Sequence, residues 1–164
     1  MIEPKSIFAV LFTAILLLAA TGCVQSGNTS VSEQDNQPAE ENQTGISAQE
    51  EYTVSRVNAA IDLMDEKGEQ AFPEFRENGS KWFHNDSYVF VWQTDGLRVV
   101  YPPDPGGEGQ NMSELLDVNG KPIEQLFIGT ALSEEGEGWV DYYWPKPGET
   151  EASLKHTFIK RASI

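Results

Sequence analysis

The chain is poor in the residue types that carry most enzyme chemistry. It has one cysteine, Cys23, and two histidines, His84 and His156. A single cysteine excludes an intrachain disulfide, and its place just behind an apolar N-terminal block argues against a catalytic thiol. Neither histidine belongs to a Ser-His-Asp, metal-ligand or paired-carboxylate pattern. The reading is therefore of a non-enzyme with no catalytic residue and no cofactor. The oxygen-bearing side chains of Asp104, Glu108, Asp117 and Asn119 lack the spacing of a calcium loop, so no metal is expected. Cations are scarce as well: 11 Lys and Arg stand against 26 Asp and Glu, a net charge of −15. No basic patch exists to collect phosphates, which excludes nucleic acid as a partner.

The 164 residues allow one domain, shortened by what precedes it. Residues 24–50 contain no Lys, Arg or aromatic residue and are rich in Ser, Thr, Asn, Gln and Glu. Such a segment cannot bury enough apolar surface to offset its ordering entropy, so 23–50 reads as a disordered acidic, polar tether. Before it, residues 7–20, IFAVLFTAILLLAA, form an apolar block interrupted only by Thr13 and preceded by Lys5. That is the layout of a secretory signal. The alternative is an uncleaved membrane anchor, slightly short of a span. The sequence LAATGC at 18–23 resembles a lipobox, although Ala20 stands where leucine is usual. The resemblance implies a signal peptide over 1–22, lipid attachment at Cys23 and a place on the extracellular face of the membrane. Five Asn-x-Ser/Thr sequons, at Asn28, Asn42, Asn78, Asn85 and Asn111, point to an archaeal cell surface.

Apolar side chains at Val54, Val57, Ile61 and Met64 are spaced three, four and three. That spacing predicts an amphipathic helix over 51–67, ended by Gly68. A shorter helical stretch follows, with Ala71, Phe72 and Phe75 apolar and Pro73 in its first turn. YVFVWQ (88–93) and LRVVY (97–101) flank Thr94-Asp95-Gly96 and read as a β-hairpin. A short helix is expected around 112–116, a turn at 117–120, and a helix carrying Ile123, Leu126 and Phe127. WVDYYW (139–144) and LKHTFIK (154–160) form a second hairpin. The order describes an α+β domain over 51–164, built on one antiparallel sheet of four strands.

Alternation sorts the strand side chains by face. Tyr88, Phe90 and Trp92 share one face of their strand, and Trp139, Asp141 and Tyr143 oppose Val140, Tyr142 and Trp144. Both faces are largely apolar, so neither is simply solvated. One takes the long helix; the other is covered by the 104–138 connection, which can enclose a pocket. Tyrosine and tryptophan carry polar tips that need partners when buried, so this cluster suits an organic ligand as well as core packing.

Five segments taken together, YVFVWQTDG (88–96), VYPPDP (100–105), DVNGKP (117–122), GWVDYYWPKPG (138–148) and KHTFIKR (155–161), resemble the Cache domains. These are PAS-like extracellular sensor modules of bacteria and archaea, here of the single-Cache type. The resemblance implies a long N-terminal helix on an antiparallel sheet, with a pocket on the opposite face. It also implies non-covalent binding of a small molecule, commonly a short carboxylate or amino acid. The candidate ligand-binding residues are Tyr88, Phe90, Tyr101, Trp139, Tyr142, Trp144 and Lys155. The tyrosines offer hydroxyl donors, and Trp139 or Trp144 a stacking wall. Lys155, where the family pattern also has lysine, either neutralises a carboxylate or pairs with an acid such as Asp141.

The chain departs from the family in having Tyr101-Pro102-Pro103 where His-Pro is usual, and in reaching Ile164 without a G-W-V-x-G-x-G strand. In the family that fifth strand lies between the first and the fourth. Direct pairing of 88–93 with 154–160 is the expectation; a strand from a partner chain and a marginally folded domain are the alternatives. The expected function is a lipid-anchored small-molecule sensor that acts through a separate membrane signalling or transport partner. The competing reading is a structural or adhesive surface lipoprotein on the same scaffold, without ligand.

Overall fold

In the computed structural model, which describes residues 7–13 and 47–163, the 3–4–3 spacing becomes helix α1, Ala48–Lys67. Ser47 and Glu50 form a reciprocal capping box: Ser47 Oγ accepts from Glu50 N at 3.2 Å, and Glu50 accepts from Ser47 N at 2.8 Å. Gly68, at φ 59°, ends the helix where a β-carbon would be strained. The buried stripe is Thr53, Arg56, Val57, Ala60 and Met64. Val54 and Ile61, expected on the same face, are only partly buried and pack against the cluster. The inward stripe has small Ala60 at its middle, which the apolar spacing alone passes over.

A 3-10 turn over Gly68–Ala71 leads into α2, Phe72–Phe75. The sheet elements then follow: β2 (Phe83–His84), β3 (Ser87–Gln93), β4 (Arg98–Val100), β5 (Glu137–Pro145) and β6 (Ala152–Ala162), with α3 (Ile123–Ala131) between β4 and β5. The four expected strands are all present, and β5 and β6 form the expected hairpin with Tyr142 opposite Lys155. The helix expected around 112–116 is absent; Leu97 and Leu116 instead make isolated bridges to Asn111 and Pro122. Among the described residues no helix is long and apolar enough to cross a membrane.

Direct pairing of β3 with β6 is not observed. A further strand, β1 (Ile7–Thr13), lies between them and is antiparallel to both. Its register sets Ala9 opposite Val91 on one side and Lys160 on the other. The path across the sheet is β2-β3-β1-β6-β5, with β4 also on β3. The ladder closes because IFAVLFT, rich in aromatic and β-branched residues, satisfies both inner edges. The rest of the 1–22 segment, Cys23, most of the tether, Asn28 and Asn42 lie outside the described residues. Asn78, Asn85 and Asn111 are exposed.

Two apolar clusters sandwich the sheet. On the α1 side Val57, Ala60, Met64, Phe75 and Trp82 pack against Val89, Val91 and Phe158. On the other side α3 and the 101–122 connection cover Tyr88, Phe90, Trp92, Val140, Tyr142 and Ile159. Polar bonds fasten that connection. Glu108 takes Arg76 in a fork, with contacts of 3.0, 3.0 and 2.7 Å, and accepts from Tyr101 N at 2.7 Å. Burial raises the Glu108 carboxyl pKa, but these donors outweigh it and hold it below the ordinary value. Asp117 is a turn hub: its carboxylate accepts from the backbone of Asn119, Lys121 and Tyr143. Those bonds, the one from Tyr143 first, lower its pKa.

Candidate ligand-binding site

Between β3 and α3 the second cluster leaves a pocket. Alternation along β3 delivers Tyr88, Phe90 and Trp92 to it, and β5 supplies Tyr142 and Trp144. Ile123 and Phe127 come from α3, and Arg98, Tyr101 and Leu115 complete the wall. The free space within the pocket is ≈ 20 Å³. That is room for about one water, so an organic ligand requires the walls to move apart. Arg98, Tyr101, Leu115 and Trp144 also border an open groove of ≈ 400 Å³, which reaches Lys146 and Glu149. Trp144 Nε1 donates to the Tyr101 hydroxyl at 2.8 Å along this shared wall.

Lys155 stands immediately behind the lining. It is fully buried, its ammonium donates to the Tyr88 hydroxyl, and it lies 4.5 Å from the centre of the Tyr88 ring. Burial pulls its pKa well below the usual lysine value, opposed by the carboxylate of Asp86. Burial likewise raises the phenols of Tyr88 and Tyr142, which keeps them as neutral donors. Asp141, the alternative partner for Lys155, is on the other face of β5. Its carboxylate lies 2.5 Å from His156 Nδ1.

Arg98 is the cation in the wall itself. Its Nε and Nη2 donate to the Gly107 carbonyl at 2.9 and 2.7 Å, and its guanidinium carbon sits 4.4 Å from the centre of the Tyr101 ring. A β-carbon on Gly107 would fall 2.1 Å from Arg98 Nη2, so only glycine permits this approach. Trp92 Nε1 is buried with no hydrogen-bond partner among the described residues. A buried donor left unmet is costly, and a ligand oxygen or a water in the pocket would satisfy it. The wall thus offers a guanidinium, three phenols and two indoles, with an ammonium behind it and no carboxylate among its ten residues. That set is rich in donors and positive charge and poor in acceptors, which is chemically suited to oxygen acceptors and anions.

Six of the seven predicted residues meet here: Tyr88, Phe90, Tyr101, Tyr142 and Trp144 in the wall, and Lys155 behind Tyr88. Trp139 does not. It lies on the α1 side, stacked on His156 at 4.1 Å and packed against Phe158 at 5.0 Å. Sequence reasoning missed Trp92, Arg98, Leu115, Ile123 and Phe127. Trp92 was legible from its alternation with Tyr88 and Phe90. Arg98 was not, because the register shifts between Val91 and Trp92 and resets which β4 side chains face the pocket.

Comparison with known proteins agrees with this architecture. The chain is 31% identical over 77 residues to the sensor histidine kinase MctS of Rhizobium johnstonii, covering 47% of this chain and 16% of that protein. It is 26% identical over 78 residues to the methyl-accepting chemotaxis protein McpP of Pseudomonas putida, covering 48% of this chain and 14% of the relative. The chain therefore spans only a small part of the length of these relatives. Among solved structures, a methyl-accepting chemotaxis protein from Vibrio parahaemolyticus superposes with a TM-score of 0.52 at 20% identity, over 66% of this chain and 82% of that one. A Cache chemosensory domain solved to explain carboxylic acid recognition gives 0.50 at 20% identity, over 71% and 94%. These two likenesses concern the fold. The family model described as Single Cache domain 2 matches residues 47–162, so the chain belongs to the family of Cache sensor domains found in chemoreceptors and sensor kinases.

Proposed function

We propose that this protein is a lipid-anchored extracellular sensor module that binds a small organic anion, such as a short carboxylate or amino acid, and acts through a separate membrane partner. The observation that carries the reading is the buried Lys155–Tyr88 pair beside Arg98, behind and in a wall without a carboxylate. A ligand carboxylate would lower the cost of keeping Lys155 charged. The structural neighbour solved for carboxylic acid recognition supports the ligand class.

The pKa direction gives the sign of a test. Lys155 titrates below its ordinary value in the free protein, and a nearby anion raises that value. Between the two values binding takes up a proton, so carboxylate affinity falls as pH rises through that window. Calorimetry with acetate, propionate and alanine, in buffers of different ionisation enthalpy, should show buffer-dependent heats there. Absence of binding by all three, with flat thermal shifts, would instead support the structural or adhesive reading. The small free volume of the pocket favours that second reading.

Anchoring rests on LAATGC and is tested separately. Cys23→Ser should release the protein from membranes or leave the precursor unprocessed. Normal processing with full membrane retention would remove the lipid anchor from the proposal. Sequons together with a lipobox-like motif favour an archaeal cell surface as the setting.

A further inference from the structure

The inner strand β1 is drawn from the apolar N-terminal block. Ile7–Thr13 is both the first half of the apolar block at 7–20 and the strand that pairs with β3 and β6. A bilayer and this sheet compete for the same seven residues, and they cannot hold them at once. When the segment is drawn into a membrane or cut away, β3 and β6 keep two inner edges with unpaired N–H and C=O groups. The flanking strand β3 is buried from Ser87 to Trp92 and packed on both faces, so water cannot readily serve those groups.

We propose that the gap between β3 and β6 is a strand-exchange site. It holds Ile7–Thr13 in the intact chain and, once that segment leaves, accepts an extended apolar strand of a second polypeptide. The seated strand defines the chemistry of the occupant: about seven apolar or β-branched residues, antiparallel to both neighbours, recognised by main-chain hydrogen bonds. Occupancy also bears on the pocket. The Lys155–Tyr88 contact bridges the gap from β6 to β3, and Lys155 is the residue next to His156, the partner of Thr13. The strand between them sets the distance that this contact spans. Withdrawal of the segment rests on the anchoring reading; its place in the intact sheet does not.

The test uses the full chain with Cys23→Ala. Ala9 and Val91 are register partners, and opposed Cα atoms in an antiparallel pair lie within disulfide range. Ala9→Cys with Val91→Cys should cross-link within one chain under mild oxidation, and the two-residue-shifted pair Ala9→Cys with Val89→Cys should do so poorly. A labelled peptide of residues 6–14 is then offered to three proteins: the locked form, the unlocked form and Val10→Pro, whose own strand loses a ladder donor. The peptide should bind Val10→Pro at least about tenfold more tightly than the locked form, because the competing strand in the same chain acts at high effective concentration. Equal binding to all three would place the peptide on another surface, and binding to none would remove exchange; either overturns the proposal. Failure of the Ala9–Val91 pair to cross-link in preference to the shifted pair overturns it even if Val10→Pro does not fold. Cys23→Ser fractionation reports on anchoring independently of all these outcomes.

Discussion

Lys155→Met should melt at a higher temperature than the parent at neutral pH and bind carboxylates about tenfold more weakly, a change of about 1.4 kcal/mol. The two effects have opposite signs because one ammonium causes both. In the free protein Lys155 is fully buried, and burial disfavours its charged form. Methionine fills a similar volume without that cost, at the expense of the bond to the Tyr88 hydroxyl. A lysine whose folded pKa is depressed holds fewer protons folded than unfolded. Parental stability should therefore rise with pH from the depressed value up to the ordinary lysine value of 10.5, while the methionine variant lacks this contribution. Paired unfolding curves at two pH values check the first effect, and titration with acetate or propionate the second. Unchanged affinity in a folded variant would reduce Lys155 to a packing residue.

Phe127→Ala should destabilise the domain by about 3–5 kcal/mol, the usual cost of removing a buried phenylalanine. The ring touches three walls at once: Phe90 at 5.5 Å, Trp92 at 5.3 Å and Tyr142 at 5.3 Å between centroids. It is 3% exposed, so solvent cannot take its place. Domains are stable by only about 5–15 kcal/mol in total, so a large part of the folded margin should disappear. Urea unfolding gives the number, and Phe127→Leu should lose much less. Because Phe127 also bounds the pocket, the alanine variant should accept longer acids than the parent. A loss below about 1 kcal/mol would lie outside the range for a buried phenylalanine and would contradict the placement of this ring in the core.

The fold was legible where local chemistry and periodicity coincide. The 3–4–3 spacing before Gly68, the Asp95-Gly96 turn and the alternation of YVFVWQ and WVDYYW each specify an element and its buried face. Alternation also put Trp139 opposite Tyr142 and Trp144, so a strict reading of faces would have left it out of the pocket. Other features depend on distant partners. Arg98 faces the pocket through a register shift, and the loop at Gly107 comes near it only in the folded chain. The occupant of the inner sheet position was least legible, because an apolar run such as IFAVLFT fits a bilayer and a buried strand equally well.

On β6 the neighbours Lys155 and His156 project to opposite faces. Lys155 meets Tyr88, while His156 stacks on Trp139 and lies 3.3 Å from Glu50 through Nε2. Glu50 is the reciprocal half of the cap that starts α1. A single peptide unit therefore joins the polar group behind the pocket wall to the latch at the head of the long helix. A ligand that tilted this peptide from the pocket side would act directly on the cap on the far side of the sheet.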